Sequence, residues 1–404
     1  MTRMSDGRYA PAGSLIGMVQ RGRGLGARMA GENPAAAAEI VHGCLRWDWR
    51  WDSTDDRALY LARLVRDLAL PLGPVAEGLG GDEGTCERVA RVLELLALGG
   101  SGEAREALRG YVRAGEYWRD VLESAAGCWP VEWWDDLEGA ARHRLQGDEK
   151  DLWGEPWGRW GLAAAPAERA VRPDPLAGET SARLLELLAD PGARQEWRHV
   201  MVALARREAE PGLLPLVPSL GPPDGEYPLP LLPRALRKLG VLAVPAAREW
   251  VRAEEDWLAG LGHGVLAEHG EAEDIPALVA ELERDWVERR WCGSMDTARG
   301  LARFGAEARG AVSLLRRLWL WTPHSYERVS CLEALAEIDP TGLESVYVEC
   351  LWDCEEDARL LGVERAPDGP EVRERLRYLA DDPMEEGTVR AAALERLAAL
   401  TEQR

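Results

Sequence analysis

Three groupings of residues have types and spacing that could do chemistry. Gly22, Gly24 and Gly26 form a Gly-x-Gly-x-Gly run beside Arg21, Arg23 and Arg28. Such glycines let a backbone approach a phosphate, but a dinucleotide fingerprint needs a preceding strand in a βαβ unit. Met18-Val19-Gln20 is too short to be one, so the run reads as part of a weakly structured or helical segment over 1–30. Cys350 and Cys354 lie four apart on an expected helix, which would put both sulfurs on one face, with Cys331 one element earlier. A zinc site needs a second such pair, and none is present. Buried cysteines between helices are therefore the preferred reading. The histidines are scattered, and His263 and His269, six apart, do not share a helix face. No nucleophile elbow, phosphate-binding Gly-Lys loop or His-Glu-x-x-His motif occurs. Acidic pairs such as Asp135-Asp136, Glu254-Glu255 and Glu355-Glu356 read as solvated faces of an acidic chain. No catalytic residue, metal ligand or cofactor is assigned.

The third grouping is aromatic and basic. Trp47, Trp49 and Trp51 alternate between arginine and aspartate, and Trp129, Trp133 and Trp134 precede Asp135-Asp136. Trp286 and Trp291 flank Arg289-Arg290, and Trp319 and Trp321 follow Arg316-Arg317. Trp and Arg dominate interface hot spots, and their stacking adds cation–π attraction. The candidate partner contacts are thus Trp129, Trp133, Trp134, Trp286, Arg289, Arg290, Trp291, Arg316, Arg317, Trp319 and Trp321. The Trp129–Asp136 and Arg316–His324 segments are the strongest of these. A competing reading follows from composition: with Trp 18 and Phe 1, tryptophan must supply much of the aromatic packing.

Helices must position these side chains. Ala, Leu, Arg and Glu, which lose little rotamer freedom in a helix, dominate the chain, and strand-type runs are hard to find. Self-similarity is strong. Leu204-Ala205-Arg206-Arg207, Leu236-Arg237-Lys238-Leu239-Gly240, Leu266-Ala267-Glu268-His269-Gly270, Leu301-Ala302-Arg303-Phe304-Gly305 and Leu335-Ala336-Glu337-Ile338-Asp339 recur at intervals of 32, 30, 35 and 34 residues. Each ends an amphipathic stretch and is followed by a turn and a second such stretch. Gly99, Gly240, Gly270 and Gly305 are expected as left-handed residues closing helices. Pro323 is expected in the first turn of a helix capped by Thr322, with Val329, Leu332, Leu335 and Ala336 on its apolar stripe. A last helix would carry Val389, Ala393, Leu394, Leu397 and Leu400.

This pattern resembles HEAT-like repeats over about residues 190–400, with weaker echoes between 55 and 145. The resemblance implies an all-α fold, an α-solenoid of stacked antiparallel helix pairs of HEAT-like or armadillo-like type. The period is shorter than that of typical HEAT units and closer to the short repeats of bilin-lyase-like HEAT proteins. The expected organisation is a segment over 1–30, helical repeats over 31–146, a Trp/Gly/Pro-rich connector over 147–180, and an array over 181–404 with a proline-rich loop at 211–233.

A formal charge of −21 disfavours nonspecific attraction to nucleic acid or anionic membrane and favours a basic protein partner. No apolar leader region or stretch of about 18 continuous apolar residues appears, and the seven cysteines show no tight pairing. A cytoplasmic protein is expected. The leading functional expectation is a noncatalytic protein-binding solenoid, an adaptor, scaffold or immunity-type inhibitor presenting an acidic groove. The alternative is an enzyme on a HEAT-like scaffold, such as an alkylpurine-type DNA glycosylase or a bilin-lyase-like protein. For a glycosylase, Arg289, Arg290, Arg316 and Arg317 with Trp286 and Trp291 would supply part of the basic face.

Overall fold

The computed structural model describes residues 9–146, 152–163, 176, 178–221 and 228–402. These form α- and 3₁₀-helices in packed pairs, with no strand among the described residues. None of the helices is long and apolar enough to cross a membrane. The chain divides into two compact units. One comprises Met1–Ala167, Leu320–Val329 and Gly342–Arg404; the other comprises Glu168–Trp319 and Ser330–Thr341. This grouping differs from the linear division expected from the sequence, because residues 342–404 belong with the N-terminal residues.

The second unit holds all five recurring leucines. Leu204, Leu236, Leu266, Leu301 and Leu335 are each buried, in the helices Trp197–Ala205, Leu232–Arg237, Asp256–His269, Ser294–Ala302 and Arg328–Ile338. A basic side chain following the leucine in one repeat reaches back to the preceding helix end. Lys238 Nζ donates to the Arg207 carbonyl, and Arg303 donates to the carbonyls of Ala267 at 2.6 Å and Gly270 at 3.1 Å. Those carbonyls lie where a helix runs out of N–H partners, so the cations satisfy them and oppose the helix dipole. Gly240 and Gly305 are left-handed, with φ of 54° and 51°, as expected. Gly270 is extended instead, and beside Gly99 it is Gly100 that takes the left-handed conformation.

The proline-rich stretch is only partly a loop. Pro211–Ser219 forms a 3₁₀-helix that buries Leu213 and Val217. Residues 222–227 lie outside the described residues.

The first unit is closed by its two ends. Gly24 opens the Gly24–Glu32 helix, and a Cβ there would sit 1.9 Å from the Glu349 carbonyl oxygen. Gly22, at φ 65°, accepts a 3.0 Å hydrogen bond from Cys354 N and has the Cys354 side chain against its Cα. The glycine run thus serves close backbone approach, to a turn of the same chain rather than to a phosphate. Residues 15–32, in the segment read as weakly structured or helical, form two helices whose glycines are largely buried.

Buried arginines complete the closure. Arg23 grips Glu349 through two hydrogen bonds of 3.0 Å. Arg63 joins Asp382 and Glu385 at 2.9 and 2.8 Å, and Arg359 shares Glu385. Arg328 donates to the Arg21 carbonyl and to Asp353, both at 2.6 Å. Charges taken out of water gain little net stability when paired, but removing one partner leaves the other uncompensated. These pairs therefore fix the register in which the chain ends meet.

The helix expected to begin at Pro323 begins at Arg328 instead. The Thr322 hydroxyl accepts from His324 N within a turn that leads into the Ser325–Glu327 3₁₀ turn. Val329, Leu332 and Leu335 are buried, Ala336 half-buried. Cys350 ends the Glu344–Cys350 helix and Cys354 lies in the turn beyond, so the two do not share a helix face. Both are buried, as is Cys331. In the last helix, Gly387–Glu402, Val389, Ala393 and Leu400 are buried and Leu394 faces outward.

Candidate binding pocket

Four of the tryptophans singled out by sequence, Trp129, Trp134, Trp291 and Trp319, are core. In the first unit Trp129 and Trp134 are 6% and 1% exposed, and their indole N–H groups donate to the carbonyls of Glu94 and Trp129. Trp129 meets half-buried Trp133 edge-on at 5.7 Å, and Trp134 meets Trp160 at 5.9 Å. Trp160 in turn meets Trp157, and Trp157 meets Trp118. The 152–163 part of the expected connector is therefore packed into this core through Leu152, Trp157, Trp160 and Leu162. Residues 147–151, 164–175 and 177 lie outside the described residues. With one phenylalanine in the chain, tryptophan does fill the aromatic core, which removes Trp129 and Trp134 as partner contacts.

In the second unit Trp291 and Trp319 are buried. Arg289 lies 4.3 Å from the half-buried Trp286 ring, and Arg317 lies 5.2 Å from it. Arg290 is bound to Glu281, Asp285 and Glu288, and Arg316 donates to the Thr341 carbonyl. These arginines are engaged inside the unit, with Arg317 exposed and the other three half-buried. Trp321, in the first unit, is 37% exposed.

A pocket of about 100 Å³ in the first unit is the better candidate. Val19, Cys44, Leu61 and Val92 contribute buried apolar groups, and Trp49 and Ala58 are half-buried beside them. Around them stand four arginines, Arg50, Arg57, Arg88 and Arg91, against three carboxylates, Asp48, Asp56 and Glu87. The local balance is positive in a chain of charge −21. Helix Glu83–Leu98 presents Arg88, Arg91 and Val92 on one face by their spacing of three and four.

The walls are fixed by hydrogen bonds. Arg50 holds Asp48 at 2.8 to 3.2 Å. Burial alone would raise the Asp48 pKa, but the Arg50 hydrogen bonds and charge bring it below the usual value. The Tyr9 hydroxyl donates to the Trp49 carbonyl at 2.7 Å, and the two rings lie 5.5 Å apart. Arg88 donates to the Arg46 carbonyl and to Thr85. Burial pushes the Cys44 thiol up to about 12. The lining contains no histidine, serine or threonine, so the pocket has neither a thiolate nor a neutral base at pH 7. Trp47, just before the pocket segment, is 66% exposed.

Behind Arg57 lies a buried cluster that brings together serine, histidine and aspartate. Arg57 donates to the carbonyls of Gln20 and Pro323. Asp55 accepts from His324 Nδ1 at 2.9 Å, from the Ser325 hydroxyl at 2.8 Å, and from the amides of Trp51, Asp52 and Tyr326. Burial would raise the Asp55 carboxyl, but the His324 hydrogen bond and the Arg57 charge hold it well below the usual range. The arrangement is not a nucleophile with its base. His324 and Ser325 converge on the same Asp55 oxygen, and Ser325 also meets Glu355. A triad needs the serine on the far nitrogen of the imidazole. His324 Nε2 instead lies 3.6 Å from Asp52.

Sequence reasoning missed both the pocket and this cluster. The alternating Trp47–Trp51 segment was the available pointer to the pocket. The cluster had none, since Asp55 and His324 are 269 residues apart. No protein-family profile, curated protein or solved structure matches the chain.

Proposed function

We propose that the chain is a noncatalytic binding protein that takes a protein partner at the Trp49 pocket of its first unit. The helix pairs and their short recurring period support reading the array as a HEAT-like solenoid, a scaffold type that presents surfaces to partners. The carrying observation is the pocket's chemistry: an apolar interior and four arginines on fixed hydrogen-bonded walls, with no histidine, serine or threonine in the lining. About 100 Å³ suits a branched aliphatic side chain, compared with about 150 Å³ for a cavity that holds benzene. The positive local balance suits a carboxylate next to that side chain. The exposed Trp47 supplies an adjoining aromatic contact of the type enriched in hot spots. The partner segment is thus apolar and acidic at this point, in place of the basic surface that net charge alone suggested.

The test is affinity capture from the native host's lysate with the wild-type chain, Ala58→Trp, which fills the pocket, and Arg88→Glu, which reverses one wall charge. A stoichiometric protein held by the wild type and lost from both variants supports the proposal. Capture unaffected by either substitution, or no protein captured at all, overturns it.

A further inference from the structure

A second cavity of the first unit contains an arginine with no carboxylate within ion-pair distance among the described residues. About 340 Å³ is enclosed by residues that include Arg28, Tyr60, Arg63, Trp352, Glu371 and Arg375. Nearly every other charge on its wall is matched. Arg28 pairs with Glu371 at 2.6 Å, and Arg63 with Asp382 and Glu385 at 2.8 Å each. Asp353 pairs with Arg328, while Asp67 accepts from the Tyr378 hydroxyl at 2.6 Å and pairs with Arg66. Glu32 is solvent-exposed.

Arg375 stands apart. It is 6% exposed, on the Pro370–Asp381 helix, and no carboxylate lies within ion-pair distance of it among the described residues. Its Nε donates to the Leu351 carbonyl at 3.1 Å. Its guanidinium carbon lies 3.9 Å from the Tyr378 ring centre and 4.7 Å from that of Trp352. Burial, with the Arg63 charge adding to it, outweighs the Tyr378 hydrogen bond and the Asp67 charge and lowers its pKa to about 10, so it remains charged at neutral pH.

The contacts hold the guanidinium plane in place, and Nε is the only nitrogen committed to a backbone carbonyl. A planar fork of N–H donors matches the oxygens of a carboxylate or a phosphate. Tyr378 and the more distant Asp67 compensate this charge only in part, and a buried cation without an ion pair is relieved by a bound counter-charge.

We propose that this cavity is a binding site for a small molecule carrying a phosphate or carboxylate group, with Arg375 as its anchoring cation. The cavity volume is within the usual range for small-molecule sites and leaves room for an organic body beside the oxyanion. The site is separate from the Trp49 pocket: the two share no lining residue.

Isothermal titration of the full chain with inorganic phosphate, and separately with acetate, at constant ionic strength set by sodium chloride, tests it. Saturable binding of at least one anion by the wild type is expected, and its identity distinguishes the two oxyanions. Arg375→Met should weaken that binding at least tenfold. Without added anion it should unfold at the same or a higher temperature than the wild type, because it removes a buried charge that has no ion pair. Arg375→Lys, which keeps the charge and loses the fork, should also bind at least tenfold more weakly; it carries the test if the methionine variant does not fold. No saturable binding by the wild type, or unchanged binding by the folded variants, overturns the proposal. A methionine variant that binds no anion but melts at lower temperature than the anion-free wild type assigns Arg375 a structural role and also overturns it.

Discussion

Gly24→Ala should open the first unit, and Gly31→Ala, on the same helix, should leave it closed. A Cβ at Gly24 would stand 1.9 Å from the Glu349 oxygen, 2.9 Å from its carbonyl carbon and 3.1 Å from Asp353 N. A carbon–oxygen contact relaxes at about 3.3 Å, so the helix and the 349–353 turn must separate by more than about 1 Å. Both neighbours are backbone, so no side chain can rotate aside. The same separation stretches the Arg23–Glu349 pair and the hydrogen bond from Cys354 to Gly22. Overpacking costs about 1–3 kcal/mol and loss of one side of a buried ion pair about 3–5 kcal/mol. Partial loss of the pair places Gly24→Ala at about 3 kcal/mol or more of destabilisation. A Cβ at Gly31 meets nothing within 4 Å, so alanine there should stabilise by up to about 0.5–1 kcal/mol through helix propensity. Urea denaturation gives the two signs. Native-state hydrogen exchange with mass spectrometry then locates the loss, which should fall on helices within 15–32 and 344–381. A Gly24→Ala chain within about 0.5 kcal/mol of wild type, with unchanged exchange in those segments, would refute the closure described above.

Three further outcomes are expected. Burial raises Glu355 to about 7 from the ordinary 4.5, so its protonated form favours the folded state. This contribution is complete below pH 4.5, is lost as pH rises through 7, and amounts to about 3 kcal/mol. Glu355→Gln should remove that slope, so urea midpoints of wild type and variant should diverge between pH 5 and pH 8; a constant difference would contradict the assignment. Glu385→Ala strips a shared carboxylate from Arg63 and Arg359 and should cost about 3–5 kcal/mol in chemical denaturation. Trp134→Ala should cost about 3–5 kcal/mol through cavity formation, whereas Trp47→Ala, at an exposed site, should stay within about 0.5 kcal/mol; equal melting curves would count against the tryptophan core.

What could be read from the sequence was what is local. The recurring leucines and their turns were legible because a helix writes its buried face into residues three and four apart. The closure of the first unit was not. Arg23 and Glu349 are 326 residues apart, and nothing near either one names the other. The glycine run shows the limit clearly: three small residues announced that something comes close to the backbone, but not that it is the 349–354 turn. Tryptophan posed the reverse difficulty. Its type suits an interface or a core equally, and only the near absence of phenylalanine favoured the core. Proline misled within 211–219, because it excludes α-helix hydrogen bonding yet is compatible with a short 3₁₀ run.

The meeting of distant segments also sets an order of events during synthesis. Arg63 leaves the ribosome 319 residues before Asp382, its partner in the finished unit. At about 5–20 residues per second, that interval is roughly a quarter of a minute to a minute. For most of it, the first helices carry arginines and glycine-lined backbone whose counterparts do not yet exist, while all of the second unit is made in between. The early segment is thus a nascent chain that waits, and a chaperone that shields it, or a pause that lengthens the wait, would act on yield without touching the stability of the completed fold.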